Sequence, residues 1–263
     1  MTISSDYKIT LPPRQEAVID HLRGKAFARV KDLAEVFGVD PMTIRRDLNR
    51  LYRLGFVERL HGGCRLSSRG TFDRAFAERE RLHRTAKNSI GERAASLVAP
   101  GQLILIDSGT TPLAVARAIA RKQIPNITLV TASLPVLWEL YDNAELRVIA
   151  LGGDLQRETG QLYGPLTENM LHSLNVDIAF MGADGIEPAR GFAAVTQEVA
   201  RLATVMYQIA RRCIVVADGS KVGAFAPYVF APLAGNMLIT DRLRAKQRTL
   251  LKKADLLFEE VEK

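Results

Sequence analysis

A polar segment in the middle of the chain has the residue types that hold a phosphate group. Residues 107–112 read Asp-Ser-Gly-Thr-Thr-Pro and lie between an apolar run and a predicted helix. Gly109 allows the backbone to approach a ligand closely, and Thr110 and Thr111 carry hydroxyl groups. A helix N-terminus adds free N–H groups and partial positive charge. Because no Gly-Lys-Ser/Thr follows, this is not a Walker loop, and we expect phosphate binding without nucleotide hydrolysis.

Later apolar runs are followed by four further polar segments, at residues 131–133, 152–154, 182–185 and 217–221. Each alone is typical of an ordinary turn. Five such segments after successive strands predict one shared pocket, because ligands of parallel sheets bind beyond the carboxyl ends of the strands. Carboxylates in these segments suit sugar hydroxyls, and Lys221 suits an anionic group.

The elements that must position this pocket alternate along the chain. Strands are predicted over residues 103–106, 127–130, 147–151, 178–181, 213–217 and 237–239. Helices are predicted between several of them, over residues 112–121, 135–141, 167–174 and 196–210. This alternation predicts an α/β domain with a mostly parallel sheet and helices on both faces.

Three short helices are predicted nearer the N-terminus, over residues 15–22, 30–37 and 42 to about 54. Gly38 ends the second helix, and Asp40 and Pro41 supply a cap and a first helical position for the third. Gly55 ends the third helix. Two helices joined by a short turn that contains glycine form a helix-turn-helix.

The third helix has one apolar and one basic face. Ile44, Leu48 and Leu51 are expected to face inward. The residues left on the outer face are Thr43, Arg45, Arg46, Asn49 and Arg50. We expect Thr43, Arg45 and Arg46 to face a DNA groove, whereas Arg50 suits phosphate contacts that carry no sequence information.

A β-hairpin wing is predicted after this helix, with strands over residues 56–60 and 64–66 around a turn at residues 61–63. Arg59, His61 and Arg65 are expected to project toward a DNA backbone. A cap, a basic helix, a glycine stop and a basic hairpin, in this order, predict a winged helix-turn-helix DNA-binding domain.

The charge distribution fits a DNA-binding head on a separate body. Residues 1–70 carry 13 basic and 8 acidic side chains, whereas the remaining 193 residues carry 23 and 21. A solvated basic face without a partner would give the same charge count. With the elements above, the predicted organisation is a head at residues 1–66, a linker and connecting helix at 67–98, and an α/β domain at 99–263.

Composition and residue spacing exclude several other classes. Apolar runs such as residues 214–217 are far shorter than the roughly 20 residues of a membrane span. Residues 1–6 lack the pattern of a secretion signal. Cys64, Cys213 and the four histidines suggest neither a disulfide framework nor a metal site. We expect a cytoplasmic protein with no membrane association, no metal and no cofactor.

Residues 43–48, followed by Gly55 and by Arg-Leu-His-Gly-Gly at residues 59–63, resemble the DNA-binding signature of the DeoR family of bacterial transcription repressors. The second half also resembles that family, at residues 107–111, 152–153, 179–185, 198, 217–218, 220–221 and 240–241. The resemblance covers about residues 10–241 and implies a Rossmann-like sensor domain that shares its fold with ribose-5-phosphate isomerase.

The resemblance implies a transcriptional regulator, and a repressor before an activator, that forms a homo-oligomer. A phosphorylated sugar or sugar derivative would release it from its double-stranded DNA operator. Gly109, Thr110 and Thr111 would hold the phosphate. The other implied effector-binding residues are Asp107, Ser133, Gly152, Gly153, Asp184, Glu198, Asp218 and Lys221. Lys87 matches a lysine that is typical of the family's connecting helix, here predicted over residues 76–98 and preceded by a hinge at residues 67–70.

Two positions depart from the family pattern. Ala132 replaces an asparagine that usually stands between threonine and serine, so the ligand differs or that contact is absent. Residues 191–194 lack the threonine that commonly follows the glycine. The tail at residues 242–263 is predicted to contain a basic helix and receives no function.

Two other functions compete with the regulator. Asp184, Glu198 and Lys221 could perform the acid–base chemistry of a sugar-phosphate isomerase, although an isomerase has no use for a DNA-reading head. A module with a vestigial pocket, which only dimerises, would show no stabilisation by any sugar phosphate.

Overall fold

The computed structural model describes residues 11–22, 25, 27–54, 56–67, 76, 78–157 and 159–262. The chain divides into two compact units, with the boundary between residues 78 and 79. The predictions for residues 1–6, for Gly55 and for the hinge beyond Ser67 lie outside the described residues. No helix in the described part of the chain is long and apolar enough to cross a membrane.

The N-terminal unit contains helices and a small antiparallel sheet. Its elements are α1 (Pro13–His21), β1 (Ala28–Arg29), α2 (Val30–Phe37), α3 (Pro41–Arg53), β2 (Val57–Leu60) and β3 (Gly63–Leu66). The described strands pair in the order β1-β3-β2. The three predicted helices and the hairpin are confirmed, whereas the two-residue strand β1 was not predicted.

Helix α3 begins and packs as its sequence predicts. The Asp40 carboxylate accepts hydrogen bonds from the backbone N–H groups of Met42, at 2.8 Å, and Thr43, at 3.0 Å. Ile44, Leu48 and Leu51 have no exposed surface and lie in the core of the unit. The cap and the apolar face together fix which side of the helix remains in solvent.

The carboxylate of Asp47 joins α3 to α1. It accepts hydrogen bonds from Arg14 Nε at 2.6 Å and from Gln15 Nε2 at 2.9 Å. Burial raises the pKa of Asp47, but these hydrogen bonds and the charges of Arg14 and Arg46 outweigh burial, so the pKa lies below its ordinary value. The ionised carboxylate therefore holds the buried side of α3 in place.

The C-terminal unit alternates strands and helices. Its helices are α4 (Arg84–Ala95), α5 (Thr110–Lys122), α6 (Leu134–Leu140), α7 (Pro165–His172), α8 (Gln197–Ile209) and α9 (Ala245–Lys253). The strands of its largest sheet are β4 (Leu103–Ile106), β5 (Thr128–Thr131), β6 (Arg147–Ala150), β9 (Val176–Met181), β12 (Ala210–Val216), β14 (Met237–Thr240) and β15 (Leu257–Glu260). Smaller sheets contain β7 (Asp154–Gln156), β8 (Gln161–Tyr163), β10 (Gly185–Glu187), β11 (Gly191–Ala194) and β13 (Tyr228–Ala231).

The large sheet has a doubly wound order, which confirms the predicted Rossmann-like α/β class. Among the described strands the order is β15-β14-β12-β9-β4-β5-β6, and every neighbouring pair is parallel. The chain leaves β4 toward β5 on one side and later builds β9 on the other. The strand order therefore reverses between β4 and β9, which is where open α/β sheets bind ligands.

The connecting helix predicted over residues 76–98 is interrupted, and this prediction was wrong in its middle. Residues 79–81 are helical, Leu82 and His83 form a turn with φ 56° at His83, and α4 starts only at Arg84. The Nζ atom of Lys87 donates to the backbone carbonyls of Arg79 and Leu82. A buried ammonium thus satisfies carbonyls at the end of the first helical turn, which periodicity alone cannot reveal.

Gly91 brings α4 against α5, and we predict that Gly91→Ala destabilises the C-terminal unit. A Cβ atom at this position would lie 2.6 Å from the backbone oxygen of Ala114 and 2.7 Å from its carbonyl carbon. Alanine favours helix by about 1 kcal/mol over glycine, but this clash should cost about 1–3 kcal/mol more than that gain. Urea unfolding measures the difference. Exposed Asn88→Ala on the same helix is the control, and equal stability of the two variants would contradict the prediction.

Candidate functional site

The outer face of α3 presents the predicted DNA-reading residues to solvent. Arg45, Arg46, Asn49 and Arg50 are exposed, and Thr43 is half-exposed. Within the described residues, no carboxylate forms a salt bridge with the three arginines. These guanidinium groups are therefore available to the acceptor atoms of bases and phosphates.

The two arginines of the hairpin wing, Arg59 and Arg65, have different surroundings. Glu58 pairs across the hairpin with Arg65, and Arg59 pairs with Cys64. Arg65 is exposed and forms a salt bridge with Glu58 at 2.6 Å. Arg59 shares the inner face with fully buried Cys64, and its Nη1 atom is buried without a hydrogen-bond partner in the described structure. Arg59 is half-exposed and His61 is exposed at the turn, and the projection of both toward a DNA backbone stays a prediction.

The predicted phosphate site lies where the order of the large sheet reverses. Gly109 precedes α5 with φ 120°, a conformation that favours glycine, and no side chain of the described residues caps this end. Thr110 is half-exposed as the first residue of α5, whereas Thr111 is buried. The first-turn N–H groups of a helix have no partner inside it, so this end can hold an anion.

Asp107 positions this helix start and is not itself accessible. Its Oδ1 atom accepts from Ser108 N at 2.7 Å and Gln161 Nε2 at 3.3 Å, and its Oδ2 atom accepts from Gly182 N at 3.0 Å. The side chain therefore ties the end of β4 to the end of β9. Burial raises the pKa of Asp107 to about 6, although the backbone hydrogen bonds from Ser108 and Gly182 oppose the shift.

This raised pKa predicts how stability depends on pH. The folded chain holds the proton of Asp107 more tightly than the unfolded chain, whose carboxyl has a pKa near 3.8. Stability contributed by this group is therefore highest below pH 4 and falls by about 3 kcal/mol as pH rises to above 6. The free energy of unfolding by urea is measured from pH 4 to 7 for the parent protein and for the Asp107→Asn variant. Only the parent should lose this part of its stability as the pH rises. Parallel pH curves for the two proteins would contradict this prediction, and exposed Asp142→Asn is the control.

The other predicted effector residues divide into accessible and structural ones. Asp184 is half-exposed, with Oδ2 accepting from Val195 N at 3.1 Å, and Glu198 is exposed in the first turn of α8. Ser133 is fully buried and caps α6 by accepting from Val136 N. Gly152 and Gly153 pack against α7: Gly152 O accepts from the Thr167 hydroxyl at 2.6 Å, and a Cβ at Gly153 would overlap that hydroxyl.

Asp218, Lys221 and Lys87 form a charged group after β12. Asp218 is buried, and its Oδ1 atom accepts from the backbone N–H of Ser220 at 3.1 Å, which starts a single 3₁₀ turn at Gly219–Lys221. Burial lowers the pKa of Lys87, the charge of Asp218 opposes this, and the charge of Lys221 adds to it. The three charges are therefore close enough to influence one another, with Lys221 half-exposed.

Sequence reasoning missed two residues of this region. Gln161 on β8 reaches Asp107, and its Oε1 atom is buried without a partner in the described structure. Lys87 was assigned to the connecting helix alone, although it also lies near Asp218. Neither follows from local patterning, because the hydrogen bond between Gln161 and Asp107 and the electrostatic influence of Asp218 on Lys87 both act between segments more than 50 residues apart. In the described residues, no group of three or more His, Cys, Asp or Glu side chains could hold a metal ion.

A winged helix-turn-helix with an exposed basic helix, followed by a doubly wound α/β domain, is the architecture of a DNA-binding regulator with its own sensor domain. Residues 14–69 match the model of the DeoR-like helix-turn-helix domain, and residues 82–242 match that of the DeoR C-terminal sensor domain. The chain belongs to the DeoR family of transcriptional regulators.

Curated relatives are named as repressors. The chain is 32% identical over 210 residues to a putative aga operon transcriptional repressor of Escherichia coli O157:H7, covering 79% of this chain and 77% of that protein. It is 32% identical over 209 residues to the transcriptional repressor AccR of Agrobacterium fabrum, covering 79% and 80%. The glycerol-3-phosphate regulon repressor of Escherichia coli K12 is 29% identical over 210 residues, covering 80% and 82%. These names identify regulators and not enzymes.

Solved structures give only a distant similarity. A ribose 5-phosphate isomerase A from Methanocaldococcus jannaschii aligns with a TM-score of 0.40 and 18% identity, over 53% of this chain and 54% of that one. A similarity of this size supports no statement about activity.

Proposed function

We propose that this chain represses genes of carbohydrate metabolism and leaves its operator when a phosphorylated sugar or sugar derivative binds. In this scheme residues 1–66 read DNA, residues 67–98 connect, and residues 99–263 sense the effector. Thr43, Arg45 and Arg46 contact base edges in the major groove. Asn49, Arg50, His61 and Arg65 contact the sugar-phosphate backbone. As a DNA-binding regulator it works in the cytoplasm.

The sensor assignment rests on the position of the N-terminus of α5, which no side chain of the described residues caps. Gly109 and Thr110 lie at the strand-order reversal of a parallel sheet, the usual ligand position of this fold. Lys221 supplies a cation after another strand of the same sheet, and Asp184 and Glu198 supply carboxylates for sugar hydroxyls. A relative named for the glycerol-3-phosphate regulon supports a phosphorylated effector.

Release of DNA requires a route from the sensor to the head. A ligand shifts the equilibrium between a DNA-binding and a released arrangement only if its affinities for the two arrangements differ. Lys87 supports such a route, because its ammonium lies near Asp218 and Lys221 and also binds the carbonyls of Arg79 and Leu82. An anion bound to Lys221 would offset the positive charge of Lys221. The electrostatic repulsion that Lys221 exerts on Lys87 would then fall. Two copies of the chain would place two heads on repeated or palindromic half-sites.

A gel-shift titration on the DNA upstream of the chain's own gene tests the proposal. It is repeated with phosphates of ribose, fructose, glucose, tagatose and glycerol. Retention that one phosphate abolishes would support both halves of the proposal. If the protein retains the DNA and no sugar phosphate changes this retention, the assignment of a DNA-binding head stands. The same result contradicts the proposed phosphorylated effector. Absence of retention on that fragment and on neighbouring promoters would contradict autoregulation and local control.

A further inference from the structure

The segment at residues 242–253 carries six basic residues and no acidic one. They are Arg242, Arg244, Lys246, Arg248, Lys252 and Lys253. The segment comprises the approach to α9 and the helix itself. All of these cations except half-buried Arg248 are exposed.

The rest of the C-terminal unit has the opposite sign of charge. Residues 79–263 contain 22 basic and 19 acidic side chains, but without the segment they contain 16 basic and 19 acidic. Charges that serve only solubility are usually interspersed over a surface. Here the unit is net positive only because of one short stretch, and the remainder of the unit is net negative.

Most of this charge has no intramolecular counterpart. Arg248 forms a salt bridge with Glu260, with Nε to Oε1 at 2.5 Å. In the part of the chain that the structure describes, no carboxylate forms a salt bridge with Arg242, Arg244, Lys246, Lys252 or Lys253. Arg242 still acts electrostatically on Glu260, whose pKa it helps to lower, so the other four cations are the ones open to an external anion.

Helix electrostatics account for only part of the segment. Lys252 and Lys253 lie in the last turn of α9, where the helix dipole favours cations. Arg242, Arg244 and Lys246 lie at or before its start, where the dipole disfavours cations and no acidic residue occupies the first turn. Cations at this end oppose the local field, so a partner outside the chain is the better explanation for them.

The segment is held rigidly on the unit. Gln247 Nε2 donates to the backbone carbonyls of Gly219 at 2.9 Å and Val222 at 3.0 Å, and Gln247 Oε1 accepts from Arg244 N at 2.9 Å. Asp241 Oδ1 accepts from Gly219 N at 2.6 Å. These bonds fix the N-terminal part of the segment against the turn that carries Lys221, so the cations form a defined array.

We propose that residues 242–253 form a second DNA-binding surface, which contacts the phosphate backbone. An array of exposed arginines and lysines, most of them without a salt-bridge partner among the described residues, matches a polyanion, and phosphate contacts need no sequence recognition. DNA is the partner that the chemistry favours, because the head of the same chain holds a duplex and raises its local concentration around the sensor. The sensor unit thereby contributes affinity, while α3 contributes sequence recognition.

The test uses the full chain and a 40-base-pair random-sequence duplex, so that it needs neither an operator nor an effector. The variant is Lys246→Gln with Lys252→Gln and Lys253→Gln. The matched control removes the same charge from exposed positions elsewhere on the unit, with Lys122→Gln, Arg157→Gln and Arg212→Gln. Fluorescence anisotropy gives the binding constant between 50 and 200 mM KCl, and thermal unfolding checks that both variants fold.

The slope of log K against log salt concentration should be about 2–3 units less steep in the variant than in the parent. In the control it should change by less than about 1 unit. The reason is that each phosphate contact contributes about 0.9 to this slope. Affinity at 50 mM KCl should fall at least about tenfold more in the variant. Equal slopes for variant and control would overturn the proposal. A variant that keeps the slope but changes the sedimentation coefficient would also overturn it, because the segment would then join copies of the chain.

Discussion

Replacement of Arg45 and Arg46 by alanine is expected to lower affinity for the operator at least about 30-fold and to leave the fold intact. Both side chains are exposed on α3 and have no salt-bridge partner among the described residues, so their removal exposes nothing of the core. A good bidentate contact to a base discriminates by about 1–3 kcal/mol, and two such contacts are lost. Competition gel shifts against random DNA would measure the loss of specificity.

The matched control removes the same charge from the same unit. Lys31→Ala with Arg53→Ala changes two exposed cations, one on α2 and one at the end of α3. The control should weaken binding to all DNA sequences alike, because phosphate contacts carry no sequence information. Equal losses of specificity in the two double variants would contradict the assignment of α3 as the recognition helix.

Replacement of Thr110 by tryptophan is expected to abolish the response to the effector while operator affinity stays within about twofold. Thr110 is the half-exposed first residue of α5, so a large side chain can be accommodated in solvent. There it covers the free N–H groups that would hold a phosphate. Loss of two charge-assisted hydrogen bonds costs about 3–6 kcal/mol, which corresponds to at least about a 100-fold higher effector concentration.

Gel shifts with the same panel of sugar phosphates measure this response, and thermal unfolding with 10 mM inorganic phosphate measures occupancy of the site directly. Thr110→Ser keeps the hydroxyl and serves as the control, which should respond like the parent. If the tryptophan variant still released DNA at the parent's effector concentration, the start of α5 would not be the phosphate site.

Local patterning predicted most of the elements. The cap at Asp40 and the inward face of Ile44, Leu48 and Leu51 follow from residues within one helix. Each strand predicted for the sensor exists, because short apolar runs between polar turns specify buried strands wherever they end up in the sheet. Seven short strands in the described part of the chain were not predicted, because two to four residues carry little periodic signal. They are β1, β7, β8, β10, β11, β13 and β15.

Contacts between distant segments were not predictable in the same way. The hydrogen bond from Gln161 to Asp107 joins residues 54 positions apart, and the contact of Gly91 with Ala114 depends on two helices meeting. The site residues were recognised by type, but their roles required three-dimensional contacts. Asp107 has the residue type of a ligand contact, yet its carboxylate is buried and holds the ends of β4 and β9 together.

The sequence by itself determined the elements, the basic reading helix, the doubly wound class and the family, because these depend on residue order and spacing. Only the tertiary structure decided which predicted residues are accessible. It buried Thr111 and Ser133, joined Asp107 to Gly182 and brought Lys87 within electrostatic range of Asp218. The physical reason is that burial and the partners of a side chain depend on the packing of segments far apart in the chain, which local periodicity does not encode.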